Sequence, residues 1–176
     1  WSTMSGLHQS LISVFSEYIL RNEQDIQDLI TLINDVPRYT NDVLEYTKEQ
    51  ADKNTLQFDY ESVTQDIQDV INNKEDSSIT SALYNAIDAL NLDAEKTTSY
   101  KAQVKEAMDT SFFPSYQSML DTLTSLQSKV QPLQGLSNYK NGKKYYEVLV
   151  ANATSSTDSI STIKENTQSA INSAIT

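Results

Sequence analysis

Cysteine is absent from the 176 residues, and His8 is the only histidine. The chain can therefore form no disulfide, no zinc site of the cysteine type and no set of two or three imidazole ligands. We interpret His8 as an ordinary, partly buried residue at a helix start rather than as a metal ligand or a catalytic group. The lack of cysteine does not indicate a compartment.

Glycine and proline are scarce, with three residues of each. Sandwiches and barrels need many turns, so this scarcity favours long helices. The 38% of hydrophobic residues is enough for one core. We predict an all-α fold, a bundle-like array of about seven or eight helices. It would form a single domain over 1–176 or a fragment of a larger helical protein.

No apolar run approaches the roughly 20 residues that span a bilayer, so we expect no membrane insertion. Basic residues are also few, with 13 Lys and Arg against 24 Asp and Glu, and the net charge is -11. A surface field of this sign repels phosphate groups, which argues against nucleic acid and anionic membranes as partners. The chain opens on Trp1 without a charged and apolar leader, and we interpret it as part of something longer.

Apolar residues recur at helical spacing along most of the chain. Two prolines interrupt the pattern: Pro37 should break or restart a helix, and Pro114 should kink the longest pattern near 111–113. Phe58 and Val63 can pack around an Asp59 cap, which predicts a helix start there. The predicted helices run over 7–20, from 23 to the proline and on toward 51, and over 59–71, 77–90, 93–130, 145–153 and 160–175.

The stretch GLSNYKNGKKYYEVLVANAT, residues 135–154, holds two of the three glycines. Gly135 and Gly142 are predicted to take positive φ angles, and Asn141 to cap the helix that follows. Tyr145 and Tyr146 begin an aromatic and apolar face at helical spacing, which predicts that this helix packs into a core. Together with Tyr139 they could instead line a groove for peptide or sugar, although core packing is the favoured interpretation.

Two other groups of residues were considered as catalytic or binding motifs, and neither is favoured. Gly142-Lys143-Lys144 is similar to the end of a phosphate loop, but the preceding glycine is too far away and Lys144 replaces the metal-binding Ser or Thr. Carboxylates three or four residues apart, such as Glu45 with Glu49, could form acid and base pairs. In so acidic a chain we interpret them as a solvated face.

The segment LSNYKNGKKYYEVLVANAT resembles the signature Leu-x-x-x-x-Asn-Gly-Lys-x-Tyr-Tyr-x-x-Leu-Val of the bacterial domain of unknown function 885 family. The segments DVPRYTNDVLEYTKEQADKNTL, FDYESVTQDIQDVI and NAIDAL resemble upstream parts of the same proteins in the same order. The likeness covers most of the chain. It marks a possible cleft or family fingerprint at Tyr139, Asn141, Gly142, Lys143, Tyr145 and Tyr146.

The resemblance implies a relation to helical zinc peptidases, distantly like carboxypeptidases of the Taq type, which hold zinc with a His-Glu-x-x-His helix and a further glutamate. This sequence contains no such motif, so no catalytic, metal-binding or cofactor-binding residue carries over. Zinc is expected in the full-length parent alone. The implied function is a non-catalytic segment that serves as scaffold and as one wall of a substrate cleft. Its expected partners are the remainder of the parent chain and a peptide substrate.

A rival interpretation comes from a different class of protein. A free-standing extracellular sensor or interaction domain would suit the acidity and the Ser and Thr content equally well, and it would place the chain at the cell surface. Self-association is a third alternative, because an exposed apolar stripe often finds another. The flanking sequence would discriminate between the first two.

Overall fold

The computed structural model describes residues 1–175, and this part of the chain is built from α-helices. The all-α prediction is confirmed. A π-helical turn at Met108–Phe112 and short 3₁₀ turns at Gln127–Lys129 and Leu136–Asn138 interrupt the regular helices. In chain order the helices are α1 (Leu7–Ser16), α2 (Glu23–Asp52), α3 (Tyr60–Asn72), α4 (Ser78–Ala89), α5 (Ala94–Ala107), α6 (Phe113–Ser125), α7 (Gly142–Thr154) and α8 (Ile160–Ile175).

The chain divides into two compact units, Trp1–Pro132 and Leu133–Thr176. The first unit contains α1 to α6, and the second contains α7 and α8. The expectation of one domain over 1–176 stays a prediction.

Helix α2 is one continuous helix of 30 residues, so the prediction that Pro37 breaks or restarts it was wrong. Its buried stripe passes the proline without a change of phase, through Ile33, Val36, Thr40 and Leu44. Packing of that stripe outweighs the roughly 3 kcal/mol that a proline costs inside a helix. The start was predicted correctly, because the Asn22 side chain accepts hydrogen bonds from the N–H groups of the first turn.

Helices α5 and α6 form a nearly continuous helical run joined by the π-helical turn. Pro114 lies in the first turn of α6 and has no N–H to donate to the preceding turn. The Phe113 N–H donates to the carbonyl of Met108, five residues back. The break that the sequence predicted at 111–113 is therefore present as a widened turn over Met108–Phe112.

Helix α3 starts where the sequence predicted. The Asp59 side chain accepts a hydrogen bond from the Ser62 N–H at 3.2 Å, and these contacts with Ser62 hold the pKa of Asp59 below its ordinary value. Phe58 and Val63 on either side of the cap are both buried. Ser77 caps α4 in the same way, by accepting from the Thr80 N–H.

The core of the first unit forms where α2 and α3 pack against the π-helical turn and α6. Phe112 lies at its centre: it meets Phe15 edge to face at 5.7 Å between ring centroids and Tyr116 at 4.9 Å. Further members of this core are Ile26, Leu29, Ile33, Ile67, Leu83, Ile87, Met108, Met119 and Leu123.

Helix α1 ends at Ser16, four residues before the predicted end at Leu20. The last backbone bond of the helix runs from the Glu17 N–H to the Ser13 carbonyl, and the following residues lead to the Asn22 cap. Ile19 is accordingly 65% exposed. Across residues 1–175, no helix combines the length and apolar character needed to cross a membrane.

The second unit buries very little. Within 133–175, Gly142 is the one buried residue. Ser155 ends α7 in the left-handed conformation, with φ 52°. The predicted apolar stripe of α8 is half-buried at Ile160 and Ile163 and exposed toward its end, where Ile171 and Ile175 have 47% and 80% of their surface accessible.

Candidate functional site

The predicted fingerprint residues lie on the turn before α7 and on the first turns of that helix. The Tyr139 N–H donates to the Leu136 carbonyl at 3.1 Å, and the Gly142 N–H donates to the Tyr139 carbonyl at 2.9 Å. The Tyr145 N–H in turn donates to the Asn141 carbonyl at 3.0 Å. These backbone bonds lock the turn and the helix start together.

Gly142 is required for a different reason from the one predicted. A Cβ atom there would lie 1.5 Å from the Leu136 carbonyl oxygen, so the backbone approaches the helix start too closely for any side chain. Gly135 has a φ of −73°, which any residue can adopt. The prediction of positive φ at these glycines was wrong. The left-handed residues of the described chain are Asn54, Asn91 and Ser155.

Asn141 occupies the N-cap position of α7, as predicted, but its side chain makes no capping hydrogen bond. Its backbone angles, φ −111° and ψ 12°, differ from the extended conformation in which a capping side chain folds back onto the first turn. Asn141 is exposed. Packing at Gly142, rather than a cap, sets where α7 begins.

The aromatic face of α7 is exposed, which corrects the prediction that it packs into a core. Tyr145 is 55% exposed, Tyr146 50% and Leu149 40%. Tyr139 on the preceding turn is 41% exposed. The second unit does not cover this face itself, and most residues of α8 are exposed as well.

A shallow depression of about 320 Å³ runs along this face and is lined by Asn141, Lys144, Tyr145 and Val148. Lys144 and Tyr145 are each three or four positions from Asn141 and from Val148, so the four residues share one side of the helix. They offer an amide, an ammonium group, a phenol and two methyl groups. This combination can hydrogen-bond a polypeptide backbone while covering an apolar side chain.

Lysines concentrate around the same helix start. Lys140, Lys143 and Lys144 lie at the positive end of the α7 dipole, where cations are unfavourable. Every ion pair found within residues 1–175 belongs to 1–132, so these lysines have no carboxylate partner there. The site is a local positive patch on an acidic chain.

A family model matches residues 1–173, which is nearly the whole chain and includes the stretch just described. The family is described as "Bacterial protein of unknown function (DUF885)". The chain belongs to this family. No curated protein and no solved structure matches it significantly.

The described part of this DUF885 chain offers no ready-made metal site. Residues 1–175 contain no group of three or more His, Asp or Glu side chains placed to hold a metal ion. Glu45 and Glu49, which share a helical face, are engaged by lysines at the surface: Lys48 lies 2.7 Å from Glu45, and Lys53 lies 3.2 Å from Glu49. These distances support their interpretation as a solvated face.

His8 lies at the start of α1, as predicted, but it is fully rather than partly buried. Burial lowers its pKa below the ordinary value, while Asp66, whose Oδ2 lies 3.6 Å from Nε2, opposes that shift. The indole of Trp1 stacks on the imidazole with 6.0 Å between ring centroids. Both ring nitrogens of His8 are buried without a hydrogen-bond partner within the described residues.

The backbone of His8 also connects two helices. Its carbonyl accepts a hydrogen bond from the Tyr116 hydroxyl on α6, a group whose own pKa is raised by burial. His8, Asp66 and Tyr116 are distant in the chain, so no spacing in the sequence could indicate this cluster. It is a polar anchor inside the core of the first unit rather than part of the α7 site.

Proposed function

We propose that this DUF885 chain is a non-catalytic helical scaffold of a longer bacterial protein, and that the exposed face of α7 contacts the remainder of that protein. One observation carries the proposal: Tyr145, Tyr146, Val148 and Leu149 are all 40% or more exposed on a single helix. Contiguous exposed apolar side chains mark interaction sites in soluble proteins.

Helix stability supports the same proposal. Helix α7 has 13 residues, and isolated helices shorter than about 12–15 residues are marginal in water. Most helices gain their stability by packing an amphipathic face. A surface that covers Tyr145 and Leu149 would supply the packing that the second unit lacks.

The second half of the proposal is that this face forms one wall of a peptide-binding cleft in the longer protein. Tyrosine is enriched where proteins recognise peptides, because it offers a rigid apolar ring and a polar tip. Tyr145 and Lys144 line the depression, and Tyr146 follows on the next position. Zinc and the catalytic groups would come from parts of the parent outside this chain.

The non-catalytic half can be tested on the purified chain. It should hold less than 0.1 equivalent of zinc after dialysis, on the order of background, and should not hydrolyse a mixed peptide library. The metal content would be measured by mass spectrometry on protein loaded with zinc and then dialysed. Stoichiometric zinc together with peptidase activity would overturn this half of the proposal.

The cleft-wall half needs the longer protein. Tyr145→Ala and Tyr146→Ala should raise KM for peptide substrates while leaving the folding of the first unit unchanged. Tyr46→Ala is the matched control, because Tyr46 is 61% exposed but lies on α2. If all three variants behaved alike, the α7 face would have no special role in the substrate cleft.

The alternative function, a free-standing extracellular sensor or interaction domain, differs in what it expects of the parent gene. Membrane-spanning segments on both sides of this chain would favour the sensor. A downstream His-Glu-x-x-His motif would favour the peptidase parent. The proposal of a peptidase scaffold therefore fails if the flanking sequence contains membrane-spanning segments and lacks a His-Glu-x-x-His motif.

A further inference from the structure

Two prolines from different helices line one cavity that opens at the surface of the first unit. Pro37 of α2 and Pro114 of α6 line the same cavity, which has a volume of about 120 Å³. A proline has no N–H, so each interrupts the backbone hydrogen bonding of its own helix. We call this space the proline cavity; it is lined by Pro37, Thr40, Asn41, Thr110, Pro114, Ser115 and Ser118.

Thr40 brings an unpaired polar atom to this cavity. The residue is 1% exposed, and its Oγ1 has no hydrogen-bond partner within the described protein. Leaving a buried hydroxyl without a partner is unfavourable, and native structures seldom do so. The proline cavity is the space next to this hydroxyl in which a partner could bind.

The other hydroxyls of the cavity can act as acceptors. Ser115 donates its proton to the Ser111 carbonyl at 2.7 Å, Thr110 to the Glu106 carbonyl at 2.8 Å and Ser118 to the Pro114 carbonyl at 3.1 Å. Their oxygen lone pairs stay available. All lining side chains are uncharged, whereas divalent cations prefer sites with carboxylates.

We infer that the proline cavity binds ordered water. A water molecule occupies about 30 Å³ in the liquid, so the cavity can hold a small cluster. The water cluster accepts a hydrogen bond from the Thr40 hydroxyl. It donates hydrogen bonds to the hydroxyl oxygens of Thr110, Ser115 or Ser118. This site is separate from the α7 face, because every residue that lines it belongs to the first unit; Thr40 and Ser115 are its buried residues.

Replacing Thr40 by valine separates a hydrated cavity from a dry one. The change is nearly isosteric and replaces the hydroxyl by a methyl group. If water binds, Thr40→Val removes a hydrogen bond, leaves the water short of a partner and lowers Tm by roughly 2–4 °C. If the cavity is dry, the variant removes an unsatisfied polar group and Tm rises.

Thr80 provides a matched control. Its Oγ1 is also buried without a partner in the described protein, but Thr80 does not line the proline cavity. Thr80→Val should therefore leave Tm unchanged or raise it. A fall for Thr40→Val against no fall for Thr80→Val supports the hydrated site, and a rise for both overturns it.

A direct measurement complements the variants. In the full chain, the methyl group of Thr40 should show a nuclear Overhauser effect to long-lived water, and the methyl groups around Phe112 should show none. If the nuclear Overhauser effect between water and the neighbouring Ser115 protons is lost in Thr40→Val, the result would support water binding through the Thr40 hydroxyl. Absence of any water contact at Thr40 in the wild-type chain would overturn the proposal.

Discussion

The two units of the chain have similar local sequence patterns but very different burial. In 1–132, helices with apolar stripes cover one another, so that Phe112, Ile26 and Leu29 have no accessible surface. In 133–175, α7 and α8 carry comparable stripes, yet Gly142 is the one buried residue of that described segment. Helical periodicity thus predicts which face is apolar, but it does not predict whether anything covers that face.

Charge separates the units as well. The first contains 9 of the 13 basic and 21 of the 24 acidic residues, a net charge of -12, while the second has four lysines and three carboxylates, a net charge of +1. In the first unit basic residues pair with neighbours, as Lys129 does with Asp52 at 2.7 Å. The lysines around α7 have no carboxylate partner within the described residues, so the second unit carries the local positive charge of the chain.

The largest expected difference between the units concerns stability. Phe112→Ala should destabilise the first unit by about 3–5 kcal/mol, because it removes a fully buried ring from the core. Tyr145→Ala, on the exposed face of α7, should change the free energy of unfolding by less than about 0.5 kcal/mol. Urea denaturation followed by circular dichroism checks both. A comparable loss for both variants would mean that the α7 face is covered within this chain.

Gly142→Ala should have the next largest effect. The added Cβ would overlap the Leu136 carbonyl, and relieving such overpacking costs about 1–3 kcal/mol. Gly135→Ala is the control, since the nearest atom to its Cβ would be the Ser137 hydroxyl at 3.8 Å. Amide hydrogen exchange over 136–150 measures the local opening. Equal exchange in both variants would contradict the close approach at Gly142.

Helix caps give a smaller contrast. Ser77→Ala in the first unit should cost about 1 kcal/mol, because the Ser77 hydroxyl accepts from the Thr80 N–H at 3.2 Å. Asn141→Ala should cost no more than a few tenths of a kcal/mol, since the Asn141 side chain makes no cap hydrogen bond. Thermal unfolding of the first variant and helix content of the second provide the measurements. A larger loss for Asn141→Ala would show that its amide caps α7 in solution.

These contrasts indicate which features could be predicted from sequence. The start of α3 was predictable because Phe58, Asp59 and Val63 are close in the chain and act locally. The continuity of α2 across Pro37 was not predictable, because it depends on packing against α6 and the π-helical turn. The burial of Thr40 was not predicted either, because a search for apolar residues at helical spacing does not include a threonine.

The candidate site at residues 139–146 stays a prediction, and the local geometry of this stretch could not be derived from the sequence. The signature around Gly142 lies within the 1–173 family match, and it coincides with a tight turn and a helix start. The reason for Gly142 is the approach of the Leu136 carbonyl, which no local rule for glycine indicates. The exposure of Tyr145 and Tyr146 depends on what partner is present, and a single sequence does not contain that information.

The smallest expected effect is a pH dependence that should be confined to the first unit, which holds the sole histidine. Burial lowers the pKa of His8 below 6.5, so the folded state favours the neutral imidazole and the unfolded state binds a proton more readily. Stability contributed by neutral His8 is therefore complete above about pH 6.5 and is lost as the pH falls through the lowered pKa. No histidine of the second unit titrates in this window.

Because the chain has one histidine, its imidazole signals can be followed by NMR without assignment from variants. We expect a midpoint below 6.5. Once exchange is corrected for the intrinsic pH dependence of amides, the protection of α1 and α3 should fall as the pH passes below that midpoint, and the protection of α7 should not change. In His8→Gln, the corrected protection of α1 and α3 should lose its dependence on pH over this range. A midpoint above 6.5 would mean that the attraction of Asp66, at 3.6 Å, outweighs desolvation. Acid would then stabilise the first unit and reverse the contrast with the second.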